Sequence, residues 1–268
     1  QMLGTGTIES HLGRIGRIDC DSAHVGTGFV VGNGLILTNR HVLQTFAAPV
    51  PRRNGPDRWV LTSDAVTIDF ADQPSSRTAA SRFRITGVAC AGRDDIDFDS
   101  IDLADVDAAM LIVETSNAAG TDLPPGVSLD ADETSVDRGQ TVLVVGYPAQ
   151  PAALPTRIDG SINSDVTARL NTIFAADYGT KYAAPGDVSA ALGSHTADTA
   201  RRVFSHDATT LVGNSGSAII KALAPQDIVG LHFGGQWLKE NYAHSLAALR
   251  SQGSGLLDEP SVRWTNVR

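Results

Sequence analysis

Residues 212–220 read VGNSGSAII, in which a run of small residues stands directly before an apolar segment. Gly, Asn and Ser are the usual residues of tight turns, so one interpretation is a hairpin turn. The other is a nucleophile turn, in which small residues let backbone N–H groups crowd around one serine. This stretch alone fits both interpretations, and the rest of the chain has to decide between them.

Size and charge limit the class of protein. The chain has 268 residues, of which 42% are hydrophobic, and a formal net charge of −9. Such a length fits one large domain or two small ones. No stretch approaches the roughly 20 apolar residues that span a membrane, and an acidic chain is unsuited to bind nucleic acid. We therefore expect neither a membrane nor a nucleic-acid partner.

Cysteine and histidine spacing gives no sign of a bound group. Cys20 and Cys90 are the two cysteines, and both one disulfide and two ordinary buried thiols remain open. The absence of CxxC pairs and Cys/His clusters predicts no metal site, and we expect no cofactor. No signal peptide is recognisable, so the cytoplasm and secretion both remain open as locations.

Short strands separated by turn residues dominate the pattern. Residues 25–31 and 35–38 flank Gly32-Asn33-Gly34, a strong hairpin signal. Further strands are expected at residues 59–62, 65–70, 83–89, 109–113, 141–145, 166–174, 201–204, 218–221, 228–233 and 242–243, with a linker at 120–126. Only residues 245–251 read as a helix, with Ser245 as its N-cap. Two similar halves rich in strands indicate two β-barrels or sandwiches.

Each half supplies residue types that serine hydrolysis requires, namely a nucleophile, a base and an acid that orients the base. The first half has LILTNRHVL, where His41 follows a strand, and DVDAAMLIV, where Asp107 precedes a buried strand. The second half has Ser215. The order His, Asp, Ser is one of the known orders of a catalytic triad.

Six segments carry a family resemblance: GTGFVVGNGLILTNRHV, DVDAAMLIV, GYP, APGDV, GNSGSAII and IVGLHFGG. With these, in this order, the chain resembles the trypsin-like serine proteases of the chymotrypsin fold, in their bacterial branch. The resemblance implies an all-β protein of two six-stranded antiparallel β-barrels with a short C-terminal helix. Residues 1–122 would form the first barrel and residues 123–268 the second, with the active site in the cleft between them.

The resemblance also implies a role for each reactive residue. Ser215 would be the nucleophile, His41 the general base and later the acid, and Asp107 the residue that holds the imidazole tautomer. The N–H groups of Gly213 and Ser215 would form the oxyanion hole. Asp102 is a second near-match for the acid, but we favour Asp107 because six apolar residues follow it without a break.

The pocket residues suggest a substrate preference. Thr209, six residues before the nucleophile, would be a neutral pocket floor, which offers no counter-charge to a substrate Arg or Lys. Thr210 and His232 resemble the pair with which glutamyl endopeptidases bind a substrate carboxylate, and Phe233 and Gly234 would line the same pocket. The alternative is that His232 only fills the wall. Phe233 or the long connection at residues 146–201 could then close the pocket, and small or apolar P1 residues would be preferred.

Three rival interpretations remain. An α/β-hydrolase esterase would need G-x-S-x-G, but Ser217 occupies the last position. The chain could instead be a latent or non-catalytic protease-fold module that serves as a binding domain. It could also be the effector of a larger protein, controlled by a regulatory partner or by further domains. In the leading interpretation, the expected partner is a protein or peptide substrate.

Overall fold

The strands form two closed β-barrels that lie one after the other along the chain. The computed structural model describes residues 5–52, 58–98, 100–151, 156–157, 161–174, 177–223, 226–236, 239–252 and 255–267. The predicted pair of six-stranded antiparallel barrels is confirmed.

The first barrel closes in the strand order β1-β2-β3-β8-β7-β6. Its strands are β1 (Ile15–Cys20), β2 (Ala23–Gly32), β3 (Leu35–Thr38), β6 (Val66–Asp69), β7 (Arg82–Ala91) and β8 (Ala109–Val113), and a separate ribbon consists of β4 (Ala47–Val50) and β5 (Arg58–Leu61). The predicted hairpin is the β2–β3 pair. Gly34 lies in its turn at φ +70°, which a residue without a Cβ adopts readily.

The second barrel closes through pairing of β13 with β14. Its strands are β10 (Thr141–Gly146), β11 (Tyr182–Ala190), β12 (Val203–His206), β13 (Ala218–Lys221), β14 (Ile228–Gln236) and β15 (Glu240–Ser245). Two short strands, β9 (Ser128–Asp130) and β16 (Arg263–Thr265), extend it by parallel pairing at the side of β14.

Four helices accompany the strands in the described residues: α1 (Thr5–Leu12), α2 (Arg40–Gln44), α3 (Ser164–Phe174) and α4 (Leu246–Ser251). The predicted C-terminal helix is α4, and Ser245 Oγ accepts a hydrogen bond from the Ala248 N–H at 3.3 Å, as an N-cap does. Within the described ranges, no helix has both the length and the apolar character needed to cross a membrane.

The strand predicted at residues 166–174 is wrong, because this segment lies in helix α3. Its apolar residues Val166, Leu170 and Phe174 recur every fourth position, which is the spacing of a helix face. Leu170 and Phe174 are buried against Leu211, so this face anchors α3 beside the turn that carries the small residues. Strand β12 also begins two residues later than expected.

The two barrels share one apolar core, which fixes their relative position at the cleft. Phe29 of β2 and Met110 of β8 belong to the same buried cluster as Ala218 of β13 and Leu231 of β14. Leu246 of α4 completes this cluster, so the terminal helix packs under the junction of the barrels. Elements from both halves can therefore hold side chains at fixed distances across the cleft.

The two cysteines are free thiols, which settles the alternative left open by the sequence. Cys90 Sγ donates a hydrogen bond to the Leu256 carbonyl at 3.4 Å, and burial raises the pKa of this thiol to about 11. Such a thiol is protonated at neutral pH and is therefore a poor nucleophile.

Candidate active site

The small residues of the 212–220 stretch form a turn that only glycine fits at two positions. Gly213 has φ +90° and Gly216 has φ +87°, both in the left-handed region that disfavours side chains. A Cβ on Gly216 would lie 2.0 Å from the Thr27 carbonyl oxygen of β2. The turn that carries Ser215 therefore packs its backbone directly against the first barrel.

Thr27 fixes this turn from the other barrel. Its N–H donates to the Ser215 carbonyl at 2.8 Å, and its Oγ1 donates to the Gly213 carbonyl at 2.8 Å. The same hydroxyl accepts from the Tyr147 N–H at 3.2 Å. Thr27 is fully buried, so these bonds are shielded from competing water. They orient the Gly213–Asn214 and Ser215–Gly216 peptide groups.

Of the N–H groups of residues 213–217, two have no acceptor in the described ranges. The Asn214 N–H donates to the Leu211 carbonyl at 3.0 Å, and the Gly216 N–H donates to the His232 carbonyl at 2.9 Å. The N–H groups of Gly213 and Ser215 have no acceptor in the described part of the chain. Such a pair can receive an oxygen that carries negative charge.

The orientation of the Gly213 N–H is set by the peptide that contains it. The Val212 carbonyl accepts a hydrogen bond from the Ala149 N–H at 2.6 Å. In a trans peptide the carbonyl and the following N–H point in opposite directions. The Gly213 N–H is therefore directed away from Ala149.

His41 and Asp107 form a close pair on the first barrel. His41 lies in α2, directly after β3, and Asp107 lies just before β8. His41 Nδ1 is 2.6 Å from Asp107 Oδ2, and the His41 N–H donates to Asp107 Oδ1 at 2.9 Å. The Asp107 side chain is buried. Because the carboxylate accepts the Nδ1 proton, His41 Nε2 is left with a lone pair.

The backbone of Asp107, like its carboxylate, is held by hydrogen bonds. Asn39 Nδ2 donates to the Asp107 carbonyl at 2.8 Å, and the Asp107 N–H donates to His244 Nε2 at 3.0 Å. The alternative acid, Asp102, is exposed, and its carboxylate accepts from the Ala104 N–H. The structure thus brings Asp107, rather than Asp102, against His41.

A pocket of about 620 Å³ opens beside Ser215. Its walls come from the loop before the Ser215 turn, from β14 and from helix α3, whose apolar face anchors it there. Of the predicted pocket residues, Thr209, Thr210, His232 and Gly234 line it. A volume of this size is typical of a ligand site.

Phe233 lies outside that lining. Its side chain is buried and stacks on the ring of His244, with ring centroids 4.4 Å apart and an interplanar angle of 23°. It shares a cluster with Leu103, Val203 and Tyr242. Because side chains alternate between the faces of a strand, Phe233 points away from the side of β14 that His232 presents to the pocket.

Two buried histidines meet at the base of the pocket. His206 Nε2 and His232 Nδ1 are 3.3 Å apart. Burial, followed by the nearby His206 and His41, lowers the pKa of His232 well below its usual value, although the Tyr242 carbonyl favours the protonated ring. Burial likewise lowers the pKa of His206 to about 4, against the opposing effect of Asp207. Both rings are therefore neutral at pH 7.

The charged side chains of the pocket differ in whether they already have a hydrogen-bond or ion-pair partner in the protein. Arg169 and Lys239 line it, as do Asp207 and Glu240. The Asp207 carboxylate accepts from the Asp187 N–H at 2.7 Å, and the Glu240 carboxylate accepts from the Tyr242 hydroxyl at 2.9 Å.

Arg169 projects from α3, is exposed, and makes no ion pair with any residue in the described ranges. Sequence analysis missed it, because residues 166–174 were interpreted as a strand. His244 and Thr27 carry no spacing signal that would have found them. In the described residues, no cluster of three metal-ligating side chains is present.

Comparison with known proteins decides the family. The profile of the family described as "Trypsin-like peptidase domain" matches residues 26–231. The chain belongs to the trypsin-like peptidase family. This trypsin-like peptidase is 33% identical, over 267 residues, to a Lysobacter enzymogenes protein named "Probable serine protease". The match covers 96% of this chain and 65% of the relative, so the chain spans less than two thirds of that protein.

Solved structures agree on the fold. The Mycobacterium tuberculosis protein Rv3671c in an inactive form superposes with a TM-score of 0.54 at 18% identity, covering 95% of this chain and 91% of that one. Its active form gives a TM-score of 0.52 at 16% identity, with 98% and 88% covered. At these identities the likeness concerns the chymotrypsin-like barrel pair alone. Nothing in the comparisons favours the latent or non-catalytic alternative.

Proposed function

We propose that this trypsin-like peptidase is a serine endopeptidase that cleaves peptide bonds through an acyl-enzyme on Ser215. The observation that carries the proposal is the 2.6 Å contact of His41 Nδ1 with Asp107 Oδ2. It leaves His41 Nε2 free to act as a base at the cleft. The neighbouring turn presents Ser215 together with the Gly213 and Ser215 N–H groups, for which the described part of the chain offers no acceptor.

In this mechanism His41 Nε2 takes the proton from Ser215 Oγ as the serine attacks the substrate carbonyl. The Asp107 carboxylate then stabilises the imidazolium, which returns the proton to the leaving amine. Ser215 Oγ makes no hydrogen bond to His41 in the described structure. Catalytic hydrogen bonds of free enzymes are often long, and we expect this one to shorten when substrate binds.

The negative charge of the tetrahedral intermediate needs fixed donors. We assign this role to the N–H groups of Gly213 and Ser215, which have no competing acceptor in the described residues. The Val212 carbonyl accepts from the Ala149 N–H and the Asn214 carbonyl accepts from the Ser217 N–H at 2.9 Å. Because these bonds hold the two peptides that carry the donors, the donors need no reorganisation during the reaction. Removing one such donor typically costs about 10²- to 10³-fold in kcat.

We also propose that the enzyme prefers an acidic P1 residue, with Arg169 as the main counter-charge. Thr209 is neutral, and the acidic side chains of the pocket already accept hydrogen bonds from the protein. Arg169 has no partner of its own in the described residues and is free to pair with a substrate carboxylate. A guanidinium is well suited to this because it can bind both carboxylate oxygens at once.

His232 would contribute as a hydrogen-bond donor rather than as a fixed charge. Its ring is neutral at pH 7 because of its burial, so it has one N–H to donate, for which a substrate carboxylate would compete with the Tyr242 carbonyl. A substrate carboxylate placed against the ring would favour protonation of His232. Thr210 is less available as a donor, because its hydroxyl donates to Asn241 Oδ1 at 2.7 Å.

The activity is tested by hydrolysis of a peptide pair that differs only in Glu or Gln at P1. We expect cleavage that Ser215→Ala abolishes, with kcat/KM for Glu higher by about 10- to 150-fold, the value of a charge-assisted hydrogen bond. Arg169→Gln should remove most of this preference. Arg138→Gln removes an exposed arginine outside the pocket lining and serves as the charge-matched control. Equal rates for both peptides would remove the acidic-pocket proposal and leave the serine mechanism intact.

A further inference from the structure

His244 is a buried histidine to which neither the fold nor the mechanism assigns a role. It lies in β15 of the second barrel and is fully buried. Its Nε2 is 3.0 Å from the backbone nitrogen of Asp107, which lies just before β8 of the first barrel. A histidine side chain of one barrel thus contacts the backbone of the proposed catalytic acid on the other.

The chemistry of this contact fixes the tautomer of His244. A backbone N–H can only donate, so Nε2 must carry a lone pair and the proton must be on Nδ1. Nδ1 is buried and has no hydrogen-bond partner in the described residues. Leaving a buried N–H unpaired is unfavourable. An apolar residue would fill this site without that cost, so packing alone does not account for a histidine here.

His244 is neutral under the conditions in which the triad would work. Its pKa is lowered to about 4, first by burial, while Asp107 opposes the shift, Arg202 adds to it and Asp198 opposes it. Arg202 donates to the Ala104 carbonyl at 2.7 Å, and Asp198 accepts from the N–H groups of Arg202 and Val203. These neighbours are thus held by partners other than the His244 ring.

The ring itself is immobilised. It stacks on Phe233 with centroids 4.4 Å apart. Its residue pairs with Val203 of β12 on one side and with Leu231 of β14 on the other. Because two strands and the Phe233 ring fix the His244 ring, its Nε2 has a fixed position relative to the backbone nitrogen of Asp107.

We propose that His244 is a positioning residue that orients the catalytic acid by accepting a hydrogen bond from the backbone of Asp107. Of the hydrogen bonds that hold Asp107, those from His41 and Asn39 originate in the first barrel, and the one to His244 comes from the second. His244 thereby couples the barrel that carries Ser215 to the acid that orients His41. The inference rests on the proposed function.

The variant test uses His244→Leu, which removes the acceptor, and His244→Gln, which keeps an acceptor close to the position of Nε2. For His244→Leu we expect kcat to fall by about 10- to 100-fold, the scale of a small misplacement of a catalytic group. KM should change by less than about twofold. In a plot of kcat/KM against pH, the acid limb is the decrease towards low pH. This limb should move to lower pH, because a poorly oriented carboxylate stabilises the imidazolium of His41 less. His244→Gln should restore both.

Val203→Ala is the matched control, because it removes buried volume beside His244 without touching Asp107. It should lower thermal stability and leave the acid limb in place. If His244→Leu loses stability as Val203→Ala does but keeps the wild-type acid limb, the positioning role is excluded.

A measurement on the wild type needs neither a stable variant nor activity. The ¹⁵N spectrum of the histidine rings at pH 7 should show His244 with Nε2 unprotonated and Nδ1 protonated. A proton on Nε2 would overturn the proposal, because that nitrogen could not accept from the Asp107 N–H. If the wild type shows the expected tautomer but no Ser215-dependent cleavage, the proposed function fails and the contact stands.

Discussion

The hydroxyl of Thr27 in the first barrel donates a hydrogen bond to the carbonyl of Gly213 in the second barrel, at 2.8 Å. This bond holds the Gly213–Asn214 peptide, which joins the two peptides whose N–H groups would bind the oxyanion. The first barrel therefore does more than supply His41 and Asp107. It also shapes the turn that presents Ser215.

We predict that Thr27→Val lowers kcat by about 10- to 100-fold, because the Gly213 carbonyl and the Tyr147 N–H both lose their buried partner. Buried groups left unpaired also cost about 1–3 kcal/mol each in the free energy of unfolding. Steady-state kinetics and denaturant unfolding measure the two effects. Thr27→Ser, which keeps the hydroxyl, should retain most of the activity. Wild-type kcat in Thr27→Val would show that the turn holds its shape without this bond.

The assignment of the acid gives a second prediction. Asp107→Asn should lower kcat by roughly 10⁴-fold, as in a chymotrypsin-fold triad, because the amide favours the wrong imidazole tautomer. Asp102→Asn is the matched control, since Asp102 is exposed and its carboxylate accepts a hydrogen bond from the nearby Ala104 N–H. Comparable losses in both variants, measured as kcat on one peptide, would contradict the assignment of Asp107.

The buried histidines predict how stability depends on pH. Burial and the nearby Arg17 and Arg77 lower the pKa of His24 to about 3, although the Gly26 carbonyl opposes them. The pKa values of His206 and His244 are lowered to about 4. An unfolded histidine has a pKa of about 6.5, so as pH falls below that value the unfolded state takes up protons that the folded state does not.

Above about pH 6.5 these histidines therefore do not lower the free energy of unfolding. As the pH drops from 6.5 towards 4, the free energy of unfolding falls. Each buried histidine contributes roughly 1.4 kcal/mol per pH unit in that window. Urea unfolding at a series of pH values measures the slope. His206→Gln should lower the slope of the free energy of unfolding against pH by roughly 1.4 kcal/mol per pH unit, the contribution of one histidine. An unchanged slope would mean that His206 is not neutral in the folded protein.

Most strands could be predicted from sequence, as could the contact between His41 and Asp107, because their signals are local. The β2–β3 hairpin follows from Asn-Gly between apolar runs, and His41, Asp107 and Ser215 stand in short, recognisable segments. Helix α3 was missed because its apolar residues are few and lie among polar residues. The spacing of Leu170 and Phe174 indicates a helix rather than a strand only when both are known to pack against Leu211.

Other contributions to the site depend on contacts between residues far apart in the chain. Thr27 lies 186 positions from Gly213, and His244 lies 137 positions from Asp107. No local pattern marks a buried threonine or histidine as a partner of a distant backbone group. Arg169 was missed for a related reason, because its place at the pocket depends on how α3 docks.

The proposal that Ser215 is a covalent nucleophile can be tested by measuring the intact mass of the protein after reaction with a fluorophosphonate. The wild type should gain one phosphonyl group, and peptide mapping should place it on Ser215. Asp107→Asn should react far more slowly, and Ser215→Ala should not react. Labelling of Ser215→Ala at the wild-type rate, or an adduct mapped to another residue, would show that Ser215 is not the nucleophile.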